Sequence, residues 1–203
     1  MIRSVEYGGE SLGWSFPNDY LRSLYDEEND LRFRTYYYPL QLIVNNPSSP
    51  NFGKPLAADR YDDAYRRYHW SLKKYHDDEK RIGTLNSYKD HIFYRYAETL
   101  LLGAEAAWRV GDLDKALEYI NSVRTRAGLN GFASFDLESY LEESARELAF
   151  ENERWFLLKR LGILVDRVNK YYEMGSNSGN KAIYPMAEHM VNMPISQNHS
   201  RQC

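Results

Sequence analysis

The sequence predicts a mostly α-helical fold built on residues 91–161, with a loop-rich section before it. Three observations support this. From Phe93 the apolar residues Phe93, Tyr96, Ala97, Leu100, Leu101, Ala104, Ala107 and Trp108 recur at the spacing of one helical face. Leu113, Ala116, Leu117, Ile120, Val123 and Ala127 repeat that spacing after a Gly111-Asp112 break. Residues 1–90, by contrast, are punctuated by Gly8, Gly9, Pro17, Pro39, Pro47, Pro50 and Pro55 and sustain no long period.

In the loop-rich section a short helix is expected near Tyr20–Tyr25. Leu31–Val44 (LRFRTYYYPLQLIV) is aromatic and β-branched enough for a short strand interrupted by Pro39. Asn45–Pro55 (NNPSSPNFGKP) has the composition of a loop, and residues 1–90 as a whole are expected to be loops with short helices and a hairpin. In residues 91–161, Asp112 is a natural N-cap and Gly128 a natural C-cap of the second helix. The short connection Arg109–Asp112 makes the two helices antiparallel neighbours. A third, long helix is expected from Asp136 or Leu137 to Leu161. Leu141, Ala145, Leu148 and Trp155 line one side of it and Phe150, Leu157 and Leu161 the other, the pattern of a sandwiched helix. In residues 162–203 the helix is expected to extend through Ile163, Leu164 and Val168 to Tyr172. A flexible Gly175–Asn180 loop and a mostly extended tail from Ala182 to Cys203 follow. The three sections are expected to make one domain, 1–203.

Composition excludes several classes. The chain has 203 residues and a net charge of −3 with both signs interspersed, and no basic block points to nucleic acid. The single cysteine, Cys203, permits neither an internal disulfide nor a thiolate-metal cluster. No run is long and apolar enough to span a bilayer, and the first residues lack the apolar core of a signal peptide. His69, His76, His91, His189 and His199 form no metal-ligand spacing, and His76-Asp77-Asp78-Glu79 reads as a solvated acidic turn. No phosphate loop or nucleophile elbow is present, so no metal or cofactor is expected. The 18 Tyr suit half-buried packing as well as wet binding surfaces.

Leu101–Arg124 (LLGAEAAWRVGDLDKALEYINSVR) reads as a tetratricopeptide-like helix hairpin, in which Gly103, Ala104 and Ala116 allow close approach. One such hairpin cannot bury its own apolar face and needs neighbours. The wider pattern supplies a setting. It comprises Arg95-Tyr96-Ala97-Glu98, Ala104-Glu105-Ala106 and Asn121-x-Val123-Arg124-x-Arg126-Ala127-Gly128. Glu147-Leu148-x-Phe150-Glu151-x-x-Arg154-Trp155, Lys159-Arg160-x-Gly162 and Met193-Pro194-Ile195 follow in order. Together they resemble the C-terminal part of the SusD/RagB family, and Leu24–Arg32 (LYDEENDLR) resembles a further segment of it. Ser144 and Leu157 stand where that family usually shows Arg and Asp.

The resemblance implies a SusD-like fold and a non-enzymatic protein of polysaccharide utilisation in Bacteroidetes. Such a protein is a lipoprotein on the cell-surface side of the outer membrane. It captures a glycan or other nutrient for a SusC-like TonB-dependent transporter. It also implies that the family's N-terminal half, with signal peptide and lipidated cysteine, is missing from this chain. A tetratricopeptide-like adaptor for protein–protein interaction is the alternative, and it would require more repeats. A glycosidase would require two convergent carboxylates in a cleft.

Two groups of residues stand out. The matched charges Glu98, Glu105, Arg124, Glu147 and Arg154 read as a structural ion network. Arg124 falls inside the apolar arc of its helix, so it is expected to be buried against Glu98, Glu105 or Glu147. An acid/base pair of Glu98 and Glu105 is disfavoured, because residues one helical level apart in a packed repeat face no cleft. Sugar rings present C–H faces that pack on aromatic planes, with hydroxyls bonded by Asn, Asp, Arg and Tyr. The ligand face is therefore expected within residues 7–75, with Trp14, Tyr37 and Trp70 as the candidate stacking residues.

Overall fold

The apolar periodicity after residue 95 folds as two helices joined by a tight turn. In a computed structural model of the chain, which describes residues 17–37, 43–55, 72–77, 89–90 and 92–171, they are α3 (Tyr96–Arg109) and α4 (Leu113–Arg126). Around them lie α1 (Asp19–Ser23), α2 (Leu31–Tyr36), α5 (Leu137–Glu147), α6 (Glu153–Arg160) and α7 (Leu164–Tyr171). Among the described residues the fold is helical, with only two isolated β-bridges, Tyr37 with Leu72 and Ile43 with Pro55. The chain divides into two compact units, Met1–Ala149 and Phe150–Cys203.

In the first unit α3 and α4 pack on each other and both touch α5. The turn between them works as its sequence suggests. Gly111 takes φ +84°, and the Asp112 carboxylate accepts from Lys115 N at 3.0 Å. Leu101, Ala104 and Ala107 of α3 are buried with Ala116, Ile120 and Val123 of α4 and Tyr140 and Leu141 of α5. Each buried Leu, Ile or Val contributes about 1.5–3 kcal/mol. A Cβ on Gly103 would lie 3.2 Å from the Tyr119 ring, so the small residue sets the helix spacing. The expected start of this stripe does not hold. Phe93 and Tyr96 are 79% and 76% exposed, because the helix begins only at Tyr96 and the buried side of its first turn is carried by Ala97 and Glu98.

Gly128 ends α4 at φ +85°, where a Cβ would stand 3.1 Å from Asn29 O and 3.2 Å from Leu31 Cγ. The same junction receives α2, since Leu31 N donates to Ala127 O at 3.0 Å. Gly128→Ala should therefore destabilise the protein by about 1–2 kcal/mol, the cost of a left-handed residue with a side chain. A urea midpoint equal to the wild type's would show that the junction relaxes freely.

Three sequence expectations are corrected. Leu31–Tyr36 is a helix rather than part of a strand, because Asp30 caps it and its first turn is tied down by Arg32. The expected short helix near Tyr20 does form, as α1, with Asn18 accepting from Leu21 N. The long third helix is broken: α5 stops at Glu147, and Phe150 and Asn152 adopt φ +65° and +68°, which no α-helix accommodates. Glu147 and Arg154, which one continuous helix would have carried, therefore lie on separate helices. In the second unit Gly162, at φ +72°, separates α6 from α7 instead of letting the helix run on to Tyr172. The Gly175–Asn180 loop and the Ala182–Cys203 tail lie outside the described residues.

Candidate functional site

Glu143 and Glu147 sit one turn apart on the buried face of α5, and neither side chain reaches solvent. Arginines from four elements converge on them. Arg32 of α2 donates through Nη1 to Glu143 Oε1 at 2.6 Å and Glu147 Oε2 at 3.2 Å. Its Nε and Nη2 form a fork on the two Asp30 oxygens, both at 2.9 Å. Arg124 of α4 reaches Glu143 Oε2 at 3.0 Å and Arg146 reaches the same oxygen at 2.9 Å. Glu147 Oε1 accepts from Arg95, from Arg126 at 2.6 Å and from Tyr36 at 3.3 Å.

The cluster also closes the end of α5, where carbonyls lack helical partners. Glu147 O accepts from Arg95 Nη2 at 2.7 Å and Lys74 Nζ at 2.8 Å, and Lys74 also reaches Ala149 O. Beneath it, Tyr37 donates to the Tyr25 hydroxyl, which donates to Arg146 O at 2.7 Å. The Tyr37 and Tyr25 rings meet edge to face at 5.4 Å.

Burial alone would raise the pKa of both carboxyls. For Glu143 the charges of Arg32 and Arg146 outweigh burial, and for Glu147 the hydrogen bond and charge of Arg95, then Arg126 and Arg32, do so. Both stay below the usual carboxylate range. Burial pushes Tyr36 up to about 12, helped by the Glu147 charge, and Tyr37 up to about 12 as well. These carboxylates are thus held as anions, the opposite of what a general acid requires. The cluster is a clamp that joins α2, α4, α5 and the start of α3. Among the described residues no group of three His, Cys, Asp or Glu is arranged to hold a metal ion.

The expected residues are only partly gathered there. Glu147 is the centre of the network and Arg124 is half-buried in it, but the carboxylate of Arg124 is Glu143, which the sequence reading did not offer. Arg124 also donates to Asn130 O and lies 4.1 Å over the Phe132 ring. Glu105 is buried elsewhere, accepting from Arg109 at 2.9 Å and Tyr140 at 3.1 Å. Its carboxylate is thus occupied within the packed repeat. Glu98 is buried on α3, and Arg154 lies on α6 in the second unit. Of the candidate stacking residues, Trp14 and Trp70 lie outside the described residues. Tyr37 is corrected: at 3% exposure, against Tyr25, it offers no free ring face to a sugar.

Asp30, Arg32, Arg95, Arg126, Glu143 and Arg146 were not read from the sequence as network members. Two signals pointed to them. Asp30 and Arg32 close the LYDEENDLR segment, and Glu143 and Glu147 share one helical face.

The model of the SusD family matches residues 26–201 of this chain. SusD-like protein P2 of Formosa agariphila is 36% identical over 85 residues, covering 36% of this chain and 17% of that protein. The solved structure of a laminarin-binding SusD-like protein has TM-score 0.56 at 25% identity, covering 87% of this chain and 36% of that one. Surface glycan-binding protein A from Bacteroides uniformis has TM-score 0.51 at 28% identity, covering 76% of this chain and 34% of that one. This chain therefore spans well under half the length of the relatives it matches. The family match runs from Asp26, at the edge of the clamp, through α2, the helix hairpin and the helices after it, and the chain belongs to the SusD family.

Proposed function

We propose that the intact protein captures an oligosaccharide or other nutrient at the cell surface and delivers it to a SusC-like TonB-dependent transporter. In this reading it is lipid-anchored in the outer membrane, this chain supplies its C-terminal part, and it breaks no bond in its ligand. The observation that carries the reading is the family match over residues 26–201. Two solved relatives with glycan or laminarin binding in their names support it. The chemistry of the clamp agrees, since its carboxylates are committed to guanidinium groups and kept ionised. Trp14 and Trp70 stay as proposed stacking residues, on a ligand face within residues 7–75.

The test is calorimetric titration of the full-length protein with a panel of oligosaccharides, alongside a reducing-end assay. Saturable binding of at least one glycan with no release of reducing ends is the expected outcome. Cleavage of any glycan by the purified protein would refute the reading.

A further inference from the structure

We propose that the loop Asn45–Gly53 is a preformed contact for a neutral sugar ring, with Phe52 as its stacking platform. This rests on the glycan-capture reading above and assigns a residue to it.

The loop is closed at its neck and tied within. Val44 N donates to Lys54 O at 3.0 Å and Gly53 N to Val44 O at 2.9 Å, beside the Ile43–Pro55 bridge. Inside, Ser49 N donates to Asn46 O and Phe52 N to Ser49 O, each at 3.0 Å. Ser48 N donates to Asn46 Oδ1 at 3.0 Å and Asn51 N to Ser49 Oγ at 3.2 Å. Pro47 and Pro50 fix two further backbone angles, and Gly53 turns the chain at φ +77°. The ordering entropy of this loop is already spent on its own turns, which is what a preorganised contact needs.

On this frame Phe52 is 56% exposed. A single exposed apolar side chain means little by itself. Here the exposed ring sits on a loop whose backbone is tied by its own turns. The chemistry around it narrows the ligand. Residues 45–53 contain no Asp, Glu, Lys or Arg, in a chain that is 27% charged. An aromatic plane in a segment of Asn, Ser and Pro, with Lys54 the first charge after it in sequence, suits a ligand with C–H faces and neutral hydroxyls.

The experiment titrates the full-length protein and its Phe52→Ala, Phe52→Trp and Phe156→Ala variants with laminari-, cello-, malto-, xylo- and manno-hexaose. Phe156 is exposed to a similar degree, on α6, and serves as the control. For the hexaose bound by wild type, Phe52→Ala should raise Kd about tenfold or more. Phe52→Trp and Phe156→Ala should stay within about threefold of wild type, and the fluorescence of the Phe52→Trp variant should shift on saturation. Circular dichroism should be unchanged in all variants. If Phe52→Ala binds like wild type while wild type binds saturably, the assignment of Phe52 falls and the glycan-capture reading stands. If wild type binds none of the panel, the Phe52 assignment falls, while the capture reading is decided by its own wider titration. Equal losses in Phe52→Ala and Phe156→Ala would also overturn the assignment, since a general surface effect would then explain them.

Discussion

Glu147→Ala lowers the stability of the protein by about 3–5 kcal/mol, the largest effect expected of any substitution discussed. The carboxylate is wholly buried and neutralises Arg32, Arg95 and Arg126, while its own carbonyl receives Arg95 and Lys74. Deleting it removes the anion from between Arg95, Arg126 and Arg32 and leaves the cluster with excess positive charge in a medium that solvates charge poorly, although Arg32 keeps Asp30 and Glu143. The guanidinium side gives a graded contrast. Arg126 is 57% exposed, so losing it removes a screened partner and costs less than about 1 kcal/mol. Arg124→Met falls between, because Glu143 keeps Arg32 and Arg146. Urea unfolding of the three variants checks the order. Equal losses for Glu147→Ala and Arg126→Ala would show that burial does not govern the clamp.

Acid unfolds the protein through the same residues. Glu143 and Glu147 have folded-state pKa values below the ordinary 4.5. Their contribution is therefore fully present above that pH and is lost as pH falls through the folded values, because the unfolded chain takes up protons first. The two groups act in the same direction, so their effects on the acid limb add. The alkaline side has its own limit. Burial raises Tyr25, Tyr36 and Tyr37 above the ordinary phenol value of 10.0, so their contribution is present below that pH and lost above it. Urea midpoints across the pH range should give a plateau bounded near these two values. Glu147→Gln should have a shallower acid limb, and an identical limb in that variant would place the acid sensitivity elsewhere.

What the sequence made legible was local. The α3–α4 hairpin follows from apolar spacing, one N-cap and two glycines, all within reach of their own neighbours. The break after Glu147 was not legible, because Leu148 and Ala149 favour helix and nothing nearby announces a left-handed Phe150. Leu31–Tyr36 was misread for the related reason that its aromatic content suggests a strand. The helix is chosen by the Asp30 cap and by an Arg32 whose carboxylates lie more than a hundred residues away. The candidate site was legible as a set of charges but not as a set of pairs. Arg124 was assigned to carboxylates of the matched motifs, while Glu143 lay outside them.

The clamp also sets an order of events. Arg32 meets Glu143 and Glu147 across separations of 111 and 115 residues, whereas α3 and α4 meet through the Gly111-Asp112 turn. Closing the longer loop requires far more of the chain to be confined beforehand, so local contacts form early and distant ones late. The hairpin is therefore expected to form before α2 docks on α5, an order that substitutions in the two places would test through folding rates. The ion cluster is a late lock, contributing most to how slowly the finished molecule comes apart and least to how quickly it assembles.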